Sequence, residues 1–169
     1  MTIGDLKLMM DRRPENVRLL GIDLGSKTIG LAVCDEGQSI ATPLRTIKRT
    51  KFTKDIEELG KVIKEYEIGG YVLGWPVNMD GSHSKRCDAT RSFADEMGKY
   101  PQYVGTDPWI ALWDERLSTE TVDNFLVDTV DMSRKRRSEV VDKLAAQVIL
   151  QSALEFMARF SVCGNGPAE

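Results

Sequence analysis

At 169 residues the chain suits one domain and can bury a continuous core without disulfide or metal staples. Its composition, 41% hydrophobic and 29% charged, is that of an ordinary soluble protein, and no apolar run is long enough to span a bilayer. A net charge of −3 excludes a generally basic protein that coats nucleic acid, so local charge must carry any such role.

Cysteine and histidine usage narrows the chemistry further. Cys34, Cys87 and Cys163 are far apart with no CxxC spacing, which argues against a disulfide framework or a zinc site. His83 is the only histidine, so imidazole-built zinc sites and Ser-His or Cys-His pairs are nearly excluded. Hydrolysis would have to run on carboxylates, lysines or a bound hard cation.

In chain order, residues 1–16 read as a short arm, partly helical, with charges mixed among its apolar residues. That mixture does not suit a signal peptide, and a cytoplasmic location is expected. Residues 17–160 read as the folded domain and 161–169 as a flexible tail. Arg18 to Leu24 and Thr28 to Cys34 are buried strands around the turn at Gly25, Ser26 and Lys27. A third strand around Ile40 to Ile47 completes an antiparallel meander.

The period then changes. Ile56, Leu59, Val62 and Ile63 have helical spacing, and Gly69 and Gly70 are expected to end that helix. Tyr71 to Trp75 is a buried strand, and Pro76 to Ser84 a loop with a turn at Asp80-Gly81. A helix from about Arg86 to Lys99 leads to the strand Trp109 to Asp114. Ser118 or Thr119 can cap a helix reaching about Val130. A basic loop, Arg134 to Arg137, then precedes a long helix from about Ser138 to Phe160. This order predicts an α/β fold: a five-stranded mixed sheet, a three-strand meander plus two parallel strands, flanked by helices.

Three acidic positions stand out. Asp23 lies inside an apolar strand, where a carboxylate near the core costs free energy unless something compensates it. Asp114 and Glu115 end another apolar strand, and alternation lets only one of them meet Asp23. Asp142 shares a helix face with Ala145, Ala146 and Ile149, whose small alanines permit close approach to a sheet. Each has an ordinary structural explanation: a strand-end hydrogen bond, a solvated terminus, a charge complementing the helix dipole. Together, two strand ends and one helix can bring three carboxylates into one space. Their mutual repulsion is relieved by Mg²⁺ or Mn²⁺, which favour oxygen ligands. Two such ions about 3.5–4 Å apart can activate water and stabilise the leaving oxygen of a phosphodiester.

Four segments then carry a resemblance. Gly21-Ile22-Asp23-Leu24-Gly25-Ser26-Lys27-Thr28-Ile29-Gly30 resembles the opening motif of the YqgF/RuvX family. Gly74-Trp75-Pro76-Val77-Asn78-Met79-Asp80-Gly81 resembles its second motif, and Asp114-Glu115-Arg116-Leu117-Ser118-Thr119 its third. Val141-Asp142-Lys143-Leu144-Ala145-Ala146, running into Ile149-Leu150-Gln151, resembles its fourth. Order and spacing are preserved from about Leu19 to Leu154. Trp75 departs from the Leu usual in the family.

The resemblance implies a ribonuclease H-like fold related to RuvC-type Holliday junction resolvases. It also implies a nuclease acting at the 5′ end of pre-16S rRNA in ribosome biogenesis. The metal-binding, catalytic carboxylates would be Asp23, Glu115 and Asp142, holding Mg²⁺ or Mn²⁺, two ions with substrate bound. Nucleic-acid contacts are expected from Lys27, Asn78, Lys85, Arg86, Arg116, Arg134, Lys135, Arg136 and Arg137, mainly to phosphates. Expected partners are pre-rRNA or branched DNA and ribosomal precursor particles, with no membrane; a monomer and a homodimer both fit.

Three rival functions share parts of the pattern. A resolvase would act on branched DNA through the same acids. A non-catalytic factor in transcription or ribosome assembly would use the basic rim without cutting. Asp-Leu-Gly before a strand also resembles the first phosphate motif of actin-like ATPases, but those need two lobes and a second phosphate loop, and this chain shows neither.

Overall fold

Long apolar strands are stable only when both of their faces are covered, and here helices cover them. The computed structural model describes residues 2–76, 80, 82, 85–114 and 134–164, with the backbone alone for 2, 134–142 and 161–164. β1 (Thr2–Asp5), α1 (Leu6–Met9) and a 3₁₀ turn (Met10–Arg12) lead into β2 (Arg18–Leu24), β3 (Thr28–Cys34) and β4 (Ala41–Lys48). Then come α2 (Phe52–Tyr66), β5 (Ile68–Trp75), α3 (Lys85–Met97), α4 (Pro101–Val104), β6 (Trp109–Asp114) and α5 (Arg134–Gly164).

The strands form one sheet in the order β1-β6-β5-β2-β3-β4. β2, β3 and β4 are the antiparallel meander, while β5 pairs parallel with both β2 and β6. Mixed pairing follows from the connections: tight turns join antiparallel neighbours, and helical crossovers join parallel ones. The C-terminal ends of β2, β5 and β6 therefore share one edge of the sheet.

The described strands number six, not the expected five. Thr2–Asp5 adds a parallel strand on β6, with Ile3 opposite Ile110, and the Trp109 indole N–H donates to the Met9 carbonyl at 2.9 Å. A four-residue run is too short to show a period. It becomes a strand because the edge of β6 offers unpaired backbone groups.

Two layers sandwich the sheet. Ile22, Leu24, Tyr71, Leu73, Ile110 and Leu112 belong to a core with Ile56 and Leu59 of α2 and Phe93 and Met97 of α3. On the other face Leu19, Val72, Ala111 and Trp113 cluster with Ala146, Ile149, Leu150 and Ala153 of α5. Alternation along each strand produces this division.

Two local expectations are corrected. Gly69 and Gly70 lie inside β5; the helix before them ends at Glu67, whose left-handed backbone (φ 52°) lets its N–H reach the carbonyls of Ile63 and Lys64. Arg134 to Arg137 form the first turn of α5, not a loop, since Arg and Lys are good helix formers and extend the helix that follows. The helix expected from Ser118 to Val130 lies outside the described residues. Among the described residues, no helix is long and apolar enough to cross a membrane.

Candidate active site

The site begins with a missing side chain. A Cβ on Gly21 would sit 2.7 Å from the Leu150 Cβ and 3.0 Å from the Ala146 carbonyl oxygen, so α5 crosses β2 here at close range. Asp23 is two residues further along β2, on the same face as Gly21, and is half-buried.

The direction of α5 follows from its hydrogen bonds. The Ala41 N–H donates to Gln151 Oε1 at 2.8 Å, and Gln151 Nε2 donates to the Ser39 carbonyl at 3.1 Å. Ala41 pairs with Cys34, whose Sγ accepts from the Leu19 N–H at 3.1 Å. From Ala146 to Gln151, α5 thus descends from the level of Gly21 towards that of Leu19. Read backwards, it climbs towards Asp23. Asp142 is one turn before Ala146, about 6 Å along the helix axis, and Asp23 is two residues, about 6.8 Å, beyond Gly21. Asp142 is thus on the part of α5 that leads from this crossing towards the C-terminal end of β2, eight residues before Leu150.

The end of β6 separates the two neighbouring acids. Leu112 belongs to the core on the α2 side and Trp113 to the core under α5. Alternation then puts Asp114 on the α2 side, away from the face of Asp23. Glu115 lies outside the described residues, as does the Asp142 side chain. Among the described residues, no group of three or more His, Cys, Asp or Glu is gathered as a metal site.

On the opposite face a cleft of about 730 Å³ opens beside the β2–β3 turn, lined by Leu24, Gly25, Ser26, Lys27, Arg49 and Arg86 among others. Gly25 N–H donates to the Thr28 carbonyl at 2.9 Å and closes the turn. Arg49 Nη1 donates to the Gly25 carbonyl at 2.7 Å.

The expected nucleic-acid residues fall into groups. Lys27 and Arg86 line the cleft, and Lys85 is exposed at the start of α3 beside it. Arg134, Lys135, Arg136 and Arg137 open α5, whose first turn holds no acid. A helix N-terminus favours negative charge, so four cations there run against the dipole. They lie about 7.5–12 Å before Asp142 along the helix axis. Asn78 and Arg116 are outside the described residues. Trp75 packs half-buried against the core on the α2 side. Arg49 was not singled out by its sequence context: it belongs to a basic stretch with Lys48, Lys51 and Lys54, and only its bond to Gly25 distinguishes it.

Comparison with known proteins agrees with this architecture. The family model described as "RuvX: Holliday junction resolvase" matches residues 17–156. A protein of Rhodospirillum centenum, named "Putative pre-16S rRNA nuclease", is 50% identical over 166 residues, covering 98% of this chain and 88% of its own. A protein of the same name from Paramagnetospirillum magneticum is 53% identical over 144 residues, covering 85% and 89%. Among solved structures, RuvC of T. thermophilus in complex with a Holliday junction substrate superposes with a TM-score of 0.52 at 12% identity, over 85% of this chain and 96% of that one. A second Thermus thermophilus RuvC structure gives 0.51 at 15%, over 86% and 97%. At such identities the likeness speaks for the fold, which is ribonuclease H-like. The sequence matches go further: the chain belongs to the RuvX family.

Proposed function

We propose that this chain is a divalent-metal-dependent nuclease that hydrolyses phosphodiester bonds of precursor 16S rRNA at its 5′ end, with Asp23, Glu115 and Asp142 as its catalytic carboxylates. The observation that carries the reading is the close approach of α5, the helix that bears Asp142, to β2 at Gly21, two residues before Asp23 on the same strand face. The names of the relatives supply the substrate. The catalytic domain is residues 17–160 together with β1 and α1, which extend its sheet and core, and the protein works in the cytoplasm.

The residues suit Mg²⁺ or Mn²⁺. Asp23 is a half-buried hard oxygen donor on the strand face that also carries Leu19 and Gly21, the face covered by α5. When bound, such ions polarise the phosphate and lower the pKa of the attacking water. Asp23 is fixed by the β2 ladder, where it pairs with Gly30, and so offers its oxygens from a rigid strand. Asp142 contributes from a helix anchored by Gln147 and Gln151, which bond the backbone of Ala41 and Ser39. The cations opening α5 hold phosphates of the substrate and set its position.

The family description favours a second reading, cleavage of four-way DNA junctions. Both are tested by incubating the protein with 5′-extended 16S rRNA and with junction DNA, each with Mg²⁺, Mn²⁺ or EDTA. Metal-dependent trimming of the RNA extension is expected. Cleavage of junction DNA alone would favour the second reading. Cleavage of neither would leave a non-catalytic nucleic-acid-binding factor.

A further inference from the structure

The cleft beside the β2–β3 turn is not explained by the carboxylates. It lies on the face of Leu24, whereas Asp23 is on the other. Lys27, Arg49 and Arg86 converge on it from the turn, the end of β4 and the first turn of α3, and among the described residues no carboxylate lines it. Among the described residues, none of the three is in an ion pair. Arg49 spends one donor on the Gly25 carbonyl at 2.7 Å, and Arg86 makes a long contact to the Leu24 carbonyl at 3.5 Å. A guanidinium has five N–H donors, so both retain capacity.

Gathering three cations costs free energy that no described residue of the lining returns. Arg86 adds to that cost, because it opens a 13-residue helix at the end where the dipole opposes positive charge. An anion offsets both penalties, and the planar fork of Arg fits a phosphate.

We infer that this cleft seats a backbone phosphate flanking the bond to be cut, so that the nucleic-acid strand bends over the β2–β3 turn. The scissile phosphate lies on the Asp23 side, and the flanking one between Lys27, Arg49 and Arg86. Asp23 and Leu24 are consecutive residues pointing to opposite faces, which makes the turn the ridge the strand crosses. Arg49 is a positioning residue: it ties the turn to the end of β4 and holds the phosphate. The inference rests on the nuclease reading and adds the path of the substrate to it.

The test measures binding of a labelled single-stranded RNA spanning the processing site, by anisotropy in EDTA across a salt series. The proteins are wild type, Arg49→Gln, Arg86→Gln and, as a control away from the cleft, Lys54→Gln. Each cleft substitution is expected to reduce the slope of log K against log salt by about 0.7, the value for one phosphate contact on a single strand. Lys54→Gln is expected to leave the slope unchanged. In single-turnover cleavage, the cleft variants should raise the half-saturating RNA concentration more than they lower the maximal rate. If Arg49→Gln fails to fold, Arg86→Gln decides alone. Unchanged slopes in folded cleft variants overturn the inference even when the RNA is cut. Altered slopes with no cleavage under any metal support the cleft and sink the nuclease reading. Inorganic phosphate competing as well as the RNA would assign the cleft to a free anion and overturn the strand path.

Discussion

Gly21 of β2 lies beneath Leu150 of α5 so closely that an added Cβ would come within 2.7 Å of the Leu150 Cβ. The conflicting atoms are a helix Cβ and, at 3.0 Å, a helix carbonyl, neither of which can swing aside. This contact sets how close α5 comes to the strand that bears Asp23.

Gly21→Ala is therefore expected to destabilise the fold by about 1–3 kcal/mol, the usual cost of overpacking a dense core. Urea denaturation measures it. Because relief requires lifting α5, the cleavage rate should fall in the protein that remains folded. A stable, fully active Gly21→Ala would show that the separation of helix and strand does not control the site.

Asp35 gives a pH-dependent prediction remote from the chemistry. Its carboxylate accepts from the Ser39 N–H at 2.8 Å and the Ile40 N–H at 2.9 Å, closing the β3–β4 turn. These bonds hold its pKa below the ordinary 3.8, those of Ile40 and Ser39 being the largest causes. A depressed carboxylate stabilises the fold above its unfolded pKa, and the contribution is lost as pH falls through the folded value. Asp35→Ala should cost about 0.5–1 kcal/mol at pH 7, reduced from a buried charged bond because the turn is exposed. The gap between variant and wild type in urea denaturation should narrow below pH 3.8. Cleavage at pH 7 should be unaffected.

The basic turn opening α5 bears on binding rather than chemistry. Replacing Arg134 and Arg136 together with Gln should weaken RNA binding at low salt. It should also lower the salt slope by up to about 1.4, two single-strand contacts. The maximal single-turnover rate should stay near wild type. Loss of rate without loss of affinity would place this turn in the chemistry instead.

Much of this fold is written in its periods. Arg18 to Leu24, Thr28 to Cys34 and Trp109 to Asp114 are strands with the bounds that their apolar runs suggest. What escapes the sequence depends on partners distant in the chain. Thr2–Asp5 becomes a strand only because β6 has a free edge. Gly70 looks like a helix stop, yet its role is room: a Cβ there would lie 2.8 Å from Leu19 Cδ2. The run Arg134 to Arg137 has the charge of a loop and the propensity of a helix, and its continuity with the helix that follows decides the outcome.

The same holds for the site. Asp23 is conspicuous as a lone acid in an apolar strand, and small residues flag the helix of Asp142. The choice between Asp114 and Glu115 needs the absolute assignment of faces, which a strand alone does not give. Arg49 is hidden in a run of cations, since its significance lies in a carbonyl 24 residues away.

The central claim is that three carboxylates share one metal-dependent hydrolytic site. Single-turnover cleavage of 5′-extended 16S rRNA in saturating Mg²⁺ or Mn²⁺ tests it, comparing wild type with Asp23→Asn, Glu115→Gln and Asp142→Asn. Loss of an outer-shell partner costs up to about 100-fold in a metal site, so each of these substitutions should exceed that loss. RNA binding in EDTA should persist in all three. Wild-type cleavage by any one of the variants would contradict the shared site.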